Sequence, residues 1–176
     1  MKKTSGKFLD IVIRYVILVL IALPNLWIFY FIFTPLTVYP VYFFLSLFLN
    51  VSLIGNTILV GGEFPIEIIK ACIAGSAYYL LLILNLSTPK IKHRKRLNMI
   101  FLSFASLLFL NILRIFLLSL MSLSGSSWFD VTHKLFWYLG SIVFVIGIWF
   151  AEVKLFKIKE IPFYSDMKFL FKTIKK

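Results

Sequence analysis

The sequence predicts an all-α polytopic membrane protein, with about four spanning helices, a re-entrant or interfacial helix and a short extracytoplasmic β-hairpin. Of its 176 residues, 61% are hydrophobic and only 15% charged, at a mean hydropathy of +0.96. A soluble fold of this size must cover itself with more polar surface than that. The apolar residues are gathered into runs long enough to cross a bilayer, for which about 20 helical residues suffice. The basic residues fall into three blocks, Lys2 to Lys7, Lys90 to Arg96 and Lys154 to Lys176, each flanking an apolar run.

Four runs are candidate spans: Phe8 to Phe33, Ala71 to Leu86, Leu97 to Leu123 and Val131 to Ala151. In the first, Arg14 interrupts the apolar stretch and no small-x-small cleavage site follows Pro24, so it reads as a retained anchor rather than a signal peptide. A fifth apolar run, Val38 to Ile54, is bracketed at its start by Pro35 and Pro40. If it crossed, the termini would lie on opposite sides and one basic block would be outside. If it is re-entrant or interfacial, all three blocks face the cytoplasm and the positive-inside rule holds throughout. The second topology is preferred.

Thr57 to Val60 and Phe64 to Ile69 are β-rich and joined by Gly61-Gly62, a hairpin signal that delivers the chain towards Cys72. The chain is then a single integral domain, 1–151, with a catalytic core near 54–151, followed by a basic cytoplasmic tail, 152–176. The net charge of +12 does not point to nucleic acid, because blocks flanking apolar runs are topology signals attracted to an anionic leaflet.

Arg114 is the only charged residue between Arg96 and Asp130. A guanidinium inside a spanning helix costs from about 2.5 kcal/mol upward, so such residues usually face a bundle interior and serve a function. It lies sixteen residues past Asn98, roughly 24 Å up its helix. Cys72, at the outer end of its helix, and His133, near the start of the last, share that depth. Cys72 is the only cysteine, so no disulfide forms within the chain. A thiol attacks only as thiolate, which a neighbouring imidazole and fixed cation favour. Cys72, His133 and Arg114 supply that set. Asn111, one turn before Arg114, can orient it or add an oxyanion donor, and Gly75 and Ser76 leave room for a substrate backbone. Asp130 reads as a cap of the last helix. His93 falls in the basic loop, so no metal site is expected, and no cofactor is implied.

IEIIKACIAGSAYYLLLIL, then NILRIFLLSL, then DVTHKLFWYLG resemble the exosortase/archaeosortase family, in its compact archaeal type. The resemblance covers roughly Ile54 to Ala151. It matches Cys72 to the nucleophile, Arg114 to the arginine of an Asn-x-x-Arg motif, Asn111 to its asparagine and His133 to the third member. Cys72-Ile73-Ala74-Gly75 stands where most bacterial members carry Cys-Ser-Gly. The resemblance implies a cysteine transpeptidase or protease in the plasma membrane, its site facing outside. Its partners would be exported proteins with C-terminal tripartite sorting signals, and an acceptor such as a lipid. The residues alone leave two other classes open. One is a non-catalytic membrane protein whose Arg114 binds lipid phosphate or a partner helix; the other is a transporter component.

Overall fold

The computed structural model describes the backbone of residues 2–174 and the side chains of 8–171 other than Ser165. The chain is mostly helical: α1 (Lys2–Ala22), α2 (Trp27–Ser46), strands β1 (Val51–Ile54), β2 (Thr57–Val60) and β3 (Phe64–Glu67), then α3 (Lys70–Ile73), α4 (Gly75–Leu86) and α5 (His93–Leu123). Helix α6 (Phe129–Leu135), a π-helical turn (Phe136–Gly140), α7 (Ser141–Leu155) and α8 (Tyr164–Ile174) complete it. Three stretches are long and apolar enough to cross a membrane: Trp27–Ser46, His93–Leu123 and the continuous Phe129–Leu155; Lys70–Leu86 is a shorter apolar fourth. Large apolar side chains such as Phe31, Phe101, Phe109 and Phe150 point outward, each at least two-thirds exposed, as helices in lipid require.

The expected division of the N-terminal half is corrected. Phe8 to Phe33 is not one helix: the chain breaks at Asn25 and Leu26, both at positive φ, between α1 and α2. Residues 38–54 form no separate re-entrant or interfacial helix. Their first part continues α2 straight through Pro35 and Pro40, and their last part is β1. Proline removes one helical hydrogen bond, a loss that apolar membrane helices tolerate when neighbouring groups compensate. The hairpin is present and gains a third strand: β1, β2 and β3 form an antiparallel meander, with Val60 paired to Phe64 across Gly61-Gly62 and Ile54 to Thr57 across Gly55-Asn56. Both turns use glycines in the left-handed region, where lack of a Cβ removes the steric penalty.

Side-chain contacts fix the helix directions. Helix α4 runs against α5: Cys72, just before it, meets Asn111, Tyr78 meets Phe104, and Asn85 meets Ser103. Helix α7 also runs against α5, with Ser141 beside Arg114 and Glu152 beside Asn85. Helix α2 runs with α5, since Phe33 meets Phe104 and Phe44 meets Phe116. The middle is filled by Phe29, Phe33, Tyr78 and Phe104, the Phe33 and Tyr78 rings stacked with centroids 3.7 Å apart.

Basic residues gather at one end of this bundle. Arg14 donates to the Leu86 carbonyl at 2.8 Å and pairs with Asp166 at 3.1 Å, both side chains 4% exposed. Lys90 pairs with Glu160, Lys95 donates to the Phe156 carbonyl and Arg96 to the Thr88 carbonyl. Arg14, read from sequence as an interruption, is therefore the tie between α1, the end of α4 and α8. The predicted tail is not wholly a tail either: residues 152–155 close α7, and 164–174 form α8, held through Asp166. Of the first basic block, the lysine side chains lie outside the described residues.

Candidate active site

At the opposite end from the basic blocks, β3 leads into the single turn of α3, which carries Cys72. That turn stops because Ala74 adopts the left-handed conformation, φ 59° and ψ 39°, which costs a residue with a Cβ roughly 1–2 kcal/mol. In an unbroken helix the Cys72 carbonyl would accept from the N–H four residues on. The break removes that donor, and Asn111 Nδ2 of α5 replaces it at 2.7 Å. The outer end of the Ala71–Leu86 run, where the sequence puts Cys72, is a separate turn, pinned to α5 by an asparagine amide. Its thiol is half-buried and free.

Arg114 lies one turn beyond Asn111 on the same face of α5. It is 5% exposed, and Asn111 on the same face ties α5 to the Cys72 turn. Among the described residues it has no carboxylate partner. Its one side-chain hydrogen bond runs from Nη1 to Ser141 Oγ at 3.5 Å, and its Nε has none. Asn111, 1% exposed, likewise leaves Oδ1 unpartnered. A buried polar group without a partner costs about 1–3 kcal/mol, more when charged. Two such atoms one turn apart on α5 leave buried polar valences unfilled near the Cys72 turn.

His133 is not bonded to this pair. It is half-buried in the last turn of α6, its ring stacked on Phe129 and edge-on to Trp137, with centroids at 5.5 and 5.9 Å. The π-helical turn follows it directly, and such turns redirect side chains and recur at functional sites. Gly140 within the turn lets the Phe136 ring close in, since a Cβ there would lie 2.8 Å from it. The turn hands over to Ser141 and so to Arg114. Asp130 does not cap: α6 starts after Trp128 without a side-chain cap, and Asp130 stands exposed in the first turn, where it favours the helix dipole.

Gly75 and Ser76 answer differently from expectation. Gly75 leaves no room for a substrate backbone, because Tyr30 of α2 fills the space; a Cβ on Gly75 would meet its ring at 2.8 Å. Ser76 is exposed on α4. Reading the sequence missed Ser141, and it missed a second polar group entirely. At the basic end, Asn85 Nδ2 donates to Glu152 Oε2 at 3.1 Å, with Ser103 alongside, all three buried. No group of three or more His, Cys, Asp or Glu among the described residues could hold a metal ion. Comparison of the chain with protein-family models, with curated proteins and with solved structures found no match.

Proposed function

We propose that the protein is a membrane-embedded cysteine transpeptidase or protease that cleaves C-terminal sorting signals of exported proteins and transfers the new carboxyl end to an acceptor such as a lipid. The observation that carries this reading is the Asn111 amide bonded to the Cys72 carbonyl, with the buried, carboxylate-free Arg114 one turn away. That combination holds the sole thiol beside a fixed cation, which an acyl-transfer site needs and a packing cysteine does not. Cys72 gives its thiol proton to His133 as sulfur bonds to the scissile carbonyl carbon. Arg114 stabilises the negative charge on the carbonyl oxygen. The C–N bond then breaks, and the amine leaves with the proton from His133. An acceptor hydroxyl or amine, or water, passes its proton to His133, attacks the thioester and releases the thiol. His133 must turn from its place between Phe129 and Trp137 to do this, so substrate binding is part of assembling the site.

Four passes, by α1–α2, α3–α4, α5 and α6–α7, bring the three basic blocks to the cytoplasmic face and the sheet, Cys72 and Arg114 to the outside. The gathering of Arg14, Lys90, Lys95 and Arg96 at one end supports that orientation through the positive-inside rule. Burial of Arg114 weighs against its holding a lipid headgroup at the surface. A transporter reading lacks a path, because Tyr78, Leu81 and Leu107, each at most 1% exposed, fill the interior between the two polar groups. Cys72→Ala should abolish processing of a protein that ends in a short motif, an apolar helix and a basic cluster, scored as disappearance of the shortened product on a gel. Wild-type processing by that variant would remove Cys72 as nucleophile and the reading with it.

A further inference from the structure

Helix α8 is amphipathic in an inverted sense. Its acidic residue faces the protein: Asp166 is 3% exposed and paired with Arg14. Three of its large apolar residues face away, Tyr164, Met167 and Phe171, 59%, 49% and 62% exposed in one stripe at helical spacing. A helix in water would present the opposite faces. Lys168 flanks the stripe, its Nζ over the Tyr164 ring, and Lys157 and Lys159 on the preceding segment are exposed too. Behind the helix, Leu170 and the α1 residues Phe8, Ile11, Val12 and Tyr15 line an open apolar slot of about 400 Å³. The pairs Arg14–Asp166 and Lys90–Glu160, and the bond from Phe163 N to the Ser87 carbonyl, fix α8 at the end of the bundle where the apolar belts of α4, α5 and α7 stop.

We propose that α8 is a membrane-surface helix. Its Tyr164, Met167 and Phe171 stripe lies in the headgroup layer of an anionic leaflet, and Lys157, Lys159 and Lys168 contact lipid phosphates. Apolar side chains flanked by lysines are the chemistry of that layer, and the slot against α1 offers acyl chains a continuation of the same surface. The inference is independent of the chemistry at Cys72.

The full-length protein, in a Cys72→Ser background, is placed in nanodiscs with a single environment-sensitive nitrobenzoxadiazole label at Met167→Cys or at Phe171→Cys. In phosphatidylglycerol discs both labels are expected to shift to the blue and to lose most of their intensity to headgroup-proximal nitroxide lipid. Quenching should weaken severalfold in phosphatidylcholine discs, and likewise when Lys168→Glu is added in phosphatidylglycerol. Elution as a single sharp species confirms that each variant is folded. Water-like emission without quenching at both positions would overturn the proposal, as would a blue shift without quenching, which would mean that protein covers the stripe. Equal quenching in both lipids would overturn the role given to anionic phosphate.

Discussion

Arg14 and Arg114, near opposite ends of the bundle, are buried cations met in opposite ways. At the basic end, Arg14 is 4% exposed and meets Asp166, Asp10 and the Leu86 carbonyl. At the other end Arg114 is as deeply buried, yet it touches only a serine hydroxyl at 3.5 Å and leaves Nε unused. A buried charge that is fully answered holds helices together. One left partly unanswered costs stability, and such a cost persists where the unanswered charge has work to do. Arg96, at the basic end, also leaves Nε without a partner, so what distinguishes Arg114 is its place one turn from the asparagine that holds the Cys72 carbonyl.

The sharpest break of that comparison is Arg114→Gln. Charge stabilisation in the transition state is worth about 100- to 1000-fold in rate, so processing of the sorting-signal substrate should fall by that order. The melting temperature in detergent should hold or rise, because an underpaired buried charge has been removed. If Arg114→Gln unfolds the protein, the arginine is structural and the contrast between the ends is lost.

The converse variant, Arg14→Gln, should cost stability instead. It strands the Asp166 carboxylate in a buried setting, a loss of about 3–5 kcal/mol, read as a lower melting temperature. The turnover of whatever remains folded should be unchanged. Adding Asp166→Asn should restore part of the loss, since the stranded charge is gone. An Arg14→Gln protein with normal stability would mean that α8 and α1 are not tied as the geometry requires.

Much of this contrast was legible before the structure, and the reasons differ by residue. Arg114 stood out because no other charge shares its apolar run, and the Gly61-Gly62 hairpin announced itself by turn chemistry. Asn111 was legible only as a neighbour of Arg114; its bond to the Cys72 carbonyl depends on the left-handed Ala74, which no local pattern signals. Pro35 and Pro40 misled, since a proline reads as a boundary in water but can sit inside a helix packed in lipid. Asp166 was hidden among the lysines of the last block. Glu152 lies one residue past Ala151, where the predicted last span ends, and so reads as the start of the tail.

Gly75 tests whether the site end is as tightly fitted as its polar economy suggests. Gly75→Ala drives a Cβ into the Tyr30 ring at 2.8 Å. Overpacking of this kind costs about 1–3 kcal/mol, and the shift would displace α4 relative to the Cys72 turn. A lower melting temperature together with reduced processing is expected, and Tyr30→Leu in the same chain should relieve both. If Gly75→Ala is silent, the glycine is not a packing requirement and the α2–α4 contact tolerates an added methyl group.

The smallest effect is expected at Glu152, where the comparison is most exposed to failure. Glu152 Oε2 accepts from Asn85 Nδ2, while Glu152 Oε1 and Asn85 Oδ1 both lack partners. Glu152→Gln keeps an acceptor for the Asn85 amide and brings an amide N–H that can reach Asn85 Oδ1. It also removes the cost of a buried carboxylate. The net change should lie within about 1 kcal/mol, towards greater stability, with processing unaltered, as measured by melting and product yield side by side. A Glu152→Gln protein that is folded but inactive would tie this carboxyl to the chemistry at Cys72. The polar end would then be more than scaffolding, and the line between the two ends would have to be redrawn through the protein's interior.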